Sequence, residues 1–255
     1  MALKSSSPPQ YSAPALDKGL DILECLADAR LPLSHLELAQ TLGRTPGEIY
    51  RMLMRLEERG YVIRESESGK FRLTLRLYEL GHKQNAPMLL RRAARFPMEA
   101  LADQSGQACH LSVQHGALLL VLMERMPARR VCLAVGEGTV TPLIQTSSGK
   151  VLLSRMTREA AAELLGIEPL FTEMSAPKRK AFLARIDEIR KTDCLVMESA
   201  QSGGVIDIAA PVGVPGTDAF GVLAISCLAA TETGGIRKSI LRFAAQINHN
   251  LGINQ

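Results

Sequence analysis

The 255-residue chain has no apolar stretch near the roughly 20 residues needed to cross a bilayer. Its longest apolar runs, such as Gly116 to Met123, stop far short. Residues 1–14, rich in Ser and Pro, lack the apolar segment of a signal peptide and read as a disordered tail. A soluble, cytoplasmic protein without a membrane partner is expected. The five cysteines, at positions 25, 109, 132, 194 and 227, include no Cys-x-x-Cys pair. Most lie in apolar surroundings, so reduced, buried thiols are expected, not a disulfide framework or a zinc ribbon.

Residues 96–255 carry no net charge, with 15 Lys/Arg against 15 Asp/Glu. Residues 1–95 hold 15 against 11 and so carry the whole excess of +4. That asymmetry fits a nucleic-acid-binding module joined to a neutral domain, although a solvated basic face gives the same count. With 46% hydrophobic residues the chain can build buried cores, and its length allows two domains.

The N-terminal part reads as three helices and a hairpin. Leu16, Leu20, Leu23 and Leu26 mark one face of a first helix, which Pro32 ends. Ser34-His-Leu-Glu37 is a capping box that opens a second, short helix, with Gly43 as its stop. Thr45-Pro-Gly-Glu48 is another capping box, with Pro46 where its missing N–H costs nothing. The third helix runs to about Arg59, with Ile49, Met52, Leu53 and Leu56 as its buried stripe. Two short helices joined by a Gly-containing turn describe a helix-turn-helix. Tyr61–Ile63 and Lys70–Leu75, joined by an acidic turn, supply a β-wing.

In that motif the start of the second helix enters the major groove, where Arg can pair bidentately with guanine. Candidate DNA contacts are therefore Arg44, Thr45, Gly47, Glu48, Tyr50, Arg51 and Arg55, with Lys70 and Arg72 on the wing. A helical hairpin with surface arginines is common in globular proteins. Helix, capped helix, capped helix and wing in that order is far more specific, and double-stranded operator DNA is the expected partner.

A linker helix is expected over 83–105, beginning near Met88 after Asn85-Ala-Pro87 interrupts the chain. Its Arg91, Arg92 and Arg95 read as a solvated face in preference to a contact with the DNA backbone. Beyond residue 106 come strands at 108–113, 118–123 and 130–135, and helices at 149–154, 158–165 and 178–191. Strands at 205–210 and 220–227 and a helix at 236–251 complete the chain. Grouped hairpins and helices indicate an α+β fold with a mostly antiparallel sheet over 106–255.

Ala15 to Leu23, Arg51-Met-Leu with Glu58-Arg-Gly-Tyr-Val62, Tyr78-Glu-Leu-Gly81, Ser148-Gly-Lys-Val-Leu-Leu153 and Gly204-Val205 with Ile208 to Val212 together resemble the IclR family of bacterial transcriptional regulators. The resemblance runs from about Ala15 to Leu251. It implies a winged helix-turn-helix at 15–82, a GAF-like sensor domain, and homodimers or dimers of dimers. Pro46-Gly47-Glu48 departs from the Lys-Ser-Thr that many members carry there. In the sensor the resemblance points to Ser147, Ser148, Asp207 and Ser226 as effector-binding positions. A further acidic position falls on Met197, beside Glu198.

A helix starting at Ser147-Ser148-Gly149 presents free amides and a positive dipole end to a carboxylate, or is an ordinary N-cap. Asp207, between Ile206 and Ile208, is either in a structural ion pair or a receptor for an effector hydroxyl or amine. His110 is a pocket-lining or packed histidine, with a metal site as the lesser reading. Cys109 points to the opposite strand face, and no acid partner for His110 is apparent, so a catalytic reading lacks its parts. No enzyme activity, cofactor or metal is expected. The reading is a transcription regulator, a repressor in preference to an activator, controlled by a small organic acid. The alternative is a ligand sensor or small enzyme whose winged helix mediates protein contacts.

Overall fold

A computed structural model describes residues 13–82, 85–128, 132–200 and 202–253. They form two compact units, residues 1–84 and 85–255. The tail expected over 1–14 lies outside the described residues, except that Pro14 opens the first helix.

The first unit holds α1 (Pro14–Asp28), α2 (His35–Thr41), α3 (Pro46–Glu58), the hairpin β1 (Val62–Arg64) with β2 (Phe71–Leu73), and α4 (Arg76–His82). The two capping boxes place α2 and α3. The Ser34 amide donates to the Glu37 carboxylate at 2.6 Å, and the Glu37 amide donates to the Ser34 hydroxyl. The Thr45 amide and hydroxyl both donate to Glu48 at 2.8 Å. Gly60, at φ 74°, makes the turn from α3 into the wing. The core is Ile22, Leu26, Leu38, Ala39, Ile49, Leu53, Val62 and Phe71. On α1 the buried pair is Ile22 and Leu26, whereas Leu16 and Leu20 are exposed. The stripe expected from Leu16 onward is thus corrected: a core this small takes side chains only from the second half of the helix. The second wing strand is also shorter than expected, and Leu75 beyond it is exposed.

The second unit begins with α5 (Asn85–Ser105) and β3 (Cys109–His115), β4 (Leu118–Arg125) and β5 (Val140–Pro142). A 3-10 turn at Leu143–Gln145 leads to α6 (Ser147–Arg155), α7 (Arg158–Gly166), α8 (Pro169–Thr172) and α9 (Ala176–Ile189). The edge strand β6 (Leu195–Glu198), the long strands β7 (Val205–Gly213) and β8 (Phe220–Leu228), and α10 (Thr233–Asn250) follow. The sheet order is β5-β4-β3-β8-β7-β6, and every described pairing is antiparallel.

Alternation along the strands gives the sheet two different faces. One carries Cys109, Leu111, Met123, Ile208, Ala210, Leu223 and Ile225, packed against α5 and α10. The segment read as a linker helix is therefore part of this unit, because Leu90, Ala94, Met98 and Leu101 are fully buried in its core. It also starts earlier than expected, since Pro87 falls in the first turn, where no N–H is needed. Pro97 inside the helix removes the bond that would reach the Ala93 carbonyl, and the Asn250 side chain on α10 donates there instead, at 2.9 Å. Arg91 is not solvated; it donates to the Leu122 carbonyl and pairs with Glu137.

The other face is covered in part by α6, through Leu119, Val151, Leu152, Ala209, Val222 and Ala224. Of the strand expected at 130–135, residues 130 and 131 lie outside the described residues and 132–135 are irregular; the third strand is β5. Gly149 lets α6 approach closely. A Cβ there would lie 2.0 Å from the Leu143 carbonyl oxygen, which is backbone and cannot yield.

Gly149→Ala is therefore expected to lower the unfolding temperature of the protein sharply, the overpacking costing about 1–3 kcal/mol or more. Gly166→Ala meets nothing within 4 Å. It should leave stability unchanged or raise it by about 0.5–1 kcal/mol, because Ala is the better helix former. Thermal melts of the two variants check both signs.

Candidate functional site

The exposed face of α3 carries Gly47, Tyr50, Arg51 and Arg55, as the helical spacing requires. Arg51 has no ion-pair or hydrogen-bond partner among the described residues. The other candidates are engaged within the unit. Thr45 and Glu48 cap α3, and Glu48 also reaches Lys18 at 3.8 Å. The Thr45 amide and hydroxyl hold the Glu48 carboxyl below its usual range. Arg44 is bound to Asp21 at 2.6 Å. Arg55 pairs with Glu58 at 2.7 Å, Lys70 with Glu37 at 3.1 Å and Arg72 with Glu65 at 3.3 Å.

Glu37 joins the wing to the helices. The Ser34 amide and hydroxyl, with Lys70 behind them, pull its pKa down to about 2. His35 was missed by the sequence reading. Its Nε2 bonds to the Pro46 carbonyl at 2.8 Å, and its ring packs at 5.5 Å on Tyr50. A histidine at the first position of a short helix carries no sequence signal for such a contact.

In the second unit a cavity of about 210 Å³ opens on the sheet face that α6 covers. His110, Ser147, Ser148, Asp207 and Ser226, all predicted, line it together. The Ser147 hydroxyl donates to Asp207 Oδ2 at 2.7 Å, and the Ser226 hydroxyl donates to Oδ1 at 2.8 Å. Asp207 is thus held by two hydroxyls, and among the described residues neither lysine nor arginine lines the cavity. Leu133, Ala134, Val135, Thr139 and Thr141 form another wall, and Gln145, Thr146, Ser199 and Ser202 add polar groups. These were missed because loops, a three-residue strand and a 3-10 turn, all too short for periodicity, supply them.

Two predicted residues stand elsewhere. Glu198 pairs in register with Ile206, so it faces away from Asp207 and is exposed. Met197 is the residue opposite Asp207. Gly149 lies outside the lining, and its amide is taken by the Thr146 hydroxyl at 2.9 Å. Thr146, not a serine, is therefore the cap of α6; in Thr-Ser-Ser-Gly three residues compete for that place in the sequence. The first-turn amides of Ser147 and Ser148 have no acceptor within the helix.

His110 is 8% exposed, and its ring has no hydrogen-bond partner among the described residues. Burial pushes its pKa down to about 4, against the pull of Asp207. The sequence showed no acid near His110; the fold brings Asp207 to it from a strand almost a hundred residues away. Cys109 lies on the opposite face, its thiol directed to the Met98 carbonyl at 3.4 Å and pushed up to about 12 by burial. A nucleophile needs the reverse. Among the described residues no three His, Cys, Asp or Glu side chains gather as metal ligands. No helix among them is long and apolar enough to cross a membrane.

Residues 15–66 match the IclR helix-turn-helix domain, and residues 82–233 match the bacterial transcriptional regulator IclR C-terminal domain. The chain belongs to the IclR family. It is a transcriptional regulator with a DNA-binding and a ligand-binding domain, not an enzyme. It is 30% identical to the HTH-type transcriptional regulator KdgR of Escherichia coli K12 over 210 residues, 81% of this chain and 77% of that protein. It is also 30% identical to the glycerol operon regulatory protein of Streptomyces griseus, over 78% of each chain. An IclR homolog from Microbacterium hydrocarbonoxydans, solved with 4-hydroxybenzoate, has the same fold at TM-score 0.78 and 17% identity, over 94% of this chain and all of that one. Pseudomonas aeruginosa HmgR gives 0.72 at 23% identity, over 93% and 98%.

The lowered pKa of His110 links stability to pH. The unfolded chain takes up a proton at about 6.5, and the folded protein refuses it until about 4. Stability present above pH 6.5 is therefore lost as the pH falls through that window, by about 2 kcal/mol between pH 7 and pH 5. His110→Gln should lack this component in denaturant titrations. The His110 ring resonances of the folded protein should not titrate between pH 8 and pH 5.

Proposed function

We propose that this regulator is a repressor that binds operator DNA through α3 and the wing and leaves it when a small organic acid fills the cavity beside α6. The unpaired guanidinium of Arg51 on the exposed face of a capped α3 is the observation that carries the DNA reading. Arg51 would read a base edge, while Arg55, Lys70 and Arg72 exchange their carboxylate partners for phosphates. The organic-acid reading is supported by the first-turn amides of α6 at the cavity wall, which suit a carboxylate. A protein of this fold solved with 4-hydroxybenzoate supports it too. We place the protein in the cytoplasm as a homodimer or a dimer of dimers, as its symmetry-related operator half-sites would require. We assign DNA binding to residues 15–82 and effector binding to the unit that follows.

Effector control requires that the acid bind the operator-free arrangement more tightly than the operator-bound one. Band-shift titrations on DNA flanking the protein's own gene test the first half. Affinity should fall linearly on a log–log salt plot, and Arg51→Ala should cost about 1–3 kcal/mol on the operator and flatten preference among sequences. Lys70→Ala should weaken all sequences alike. No retardation of that DNA at low salt, or a gain in operator occupancy when acids are added, contradicts the repressor reading.

A further inference from the structure

The chemistry of the cavity narrows the effector further. This step rests on the organic-acid reading above. Four polar features meet there. The first-turn amides of Ser147 and Ser148 open a nine-residue helix whose N-terminus lines the cavity. The Ser148 hydroxyl and the His110 ring line it as well, 4% and 8% exposed, and neither has a hydrogen-bond partner among the described residues. The fourth is the Asp207 carboxylate, an acceptor that the Ser147 and Ser226 hydroxyls address.

A buried donor or acceptor left unmatched is costly, so the occupant must answer the first three of these groups. The amides and the Ser148 hydroxyl ask for an acceptor, and a carboxylate supplies two oxygens. Asp207 already accepts from Ser147 and Ser226 and has lone pairs left for a further donor. Among the described lining residues there is no lysine or arginine, and Lys150 on α6 attracts Asp207 from outside the lining. A bare carboxylate at the helix mouth would therefore face the negative charge of Asp207 with no cation of the described wall beside it.

The closeness of Asp207 to the first residue of α6 points to where the donor sits on the ligand. Ser147 is the first residue of α6, and its hydroxyl is 2.7 Å from Asp207. The helix mouth and the carboxylate acceptor are therefore side by side. A ligand carboxylate at the mouth brings the substituent on its adjacent carbon to Asp207, and a donor further along the ligand overshoots. We propose that the effector is a carboxylic acid with a hydrogen-bond donor on carbon 2, its carboxylate on the α6 amides and Ser148, and its donor directed to Asp207. His110 stands opposite as an acceptor or donor for the remainder.

Calorimetry on the full chain with matched pairs of acids tests this. The pairs are lactate with propionate, glycerate with 3-hydroxypropionate, mandelate with phenylacetate, and gluconate with 2-deoxygluconate. The 2-hydroxy member of the pair that fits should bind ten- to a hundredfold more tightly, the range of a hydrogen bond to a charged acceptor. O-methylation of that hydroxyl keeps an acceptor and removes the donor; it should erase the preference with the protein unaltered. Asp207→Asn should bring the ratio near one while the deoxy acid still binds. Serine and phenylglycine in place of glycerate and mandelate tell an ammonium donor from a hydroxyl.

Equal affinity within every pair, or a methoxy acid as good as the hydroxy acid, overturns the proposal and leaves the organic-acid reading standing. Failure of every acid to bind, with neutral polyols binding instead, overturns both.

Discussion

The second unit depends on the bond from the Ser147 hydroxyl to the Asp207 carboxylate. It ties the first residue of α6 to the third residue of β7, sixty residues along the chain. Ser226 on β8 holds the other oxygen, so one carboxylate joins a helix and two strands. Gly149 makes the arrangement possible by letting the helix lie against the Leu143 carbonyl. A cavity with polar groups on its floor follows from packing a fully buried helix over only part of the sheet face. The low dielectric that makes such groups costly when unmatched is also what makes a matching ligand specific.

The first unit uses its carboxylates differently. Glu37 and Glu48 fix the N-terminal ends of α2 and α3, and Glu37 also binds Lys70 beside the turn of the wing. Capping and wing placement share one side chain. Most cations on α3 and the wing already have exposed carboxylate partners, so in the complex proposed above phosphate binding would be an exchange of partners. Exposed pairs of this kind are worth little, about 0–1 kcal/mol each. They therefore moderate DNA binding without preventing it. Arg51, the cation on the exposed α3 face without such a partner among the described residues, has its charge available from the start.

Periodicity and capping made the first unit legible from the sequence, because those signals are local. Two capping boxes, the Ile49–Leu53 stripe and the wing appear where the residues place them. The second unit was legible in its long strands and in the exchange of faces along them, which put Asp207, His110 and Ser226 on one side and Cys109 on the other. The rest depended on contacts between distant segments. No local signal says that Glu198 faces away from Asp207, that Thr146 outcompetes two serines as a cap, or that Arg91 binds Glu137 in the loop beside the cavity. The edge strand Leu195–Glu198 went unread because four residues with one charged end hold little pattern.

The cavity in one unit and the helix proposed to read DNA in the other work as a regulator only if their ligands compete for states of the same chain. Reciprocity tests that directly. The tightest-binding acid is titrated by calorimetry into the free protein and into the protein–operator complex, and operator affinity is measured with and without the acid. The factor by which operator weakens acid binding should equal the factor by which acid weakens operator binding. Identical acid affinity in the two titrations would contradict the account.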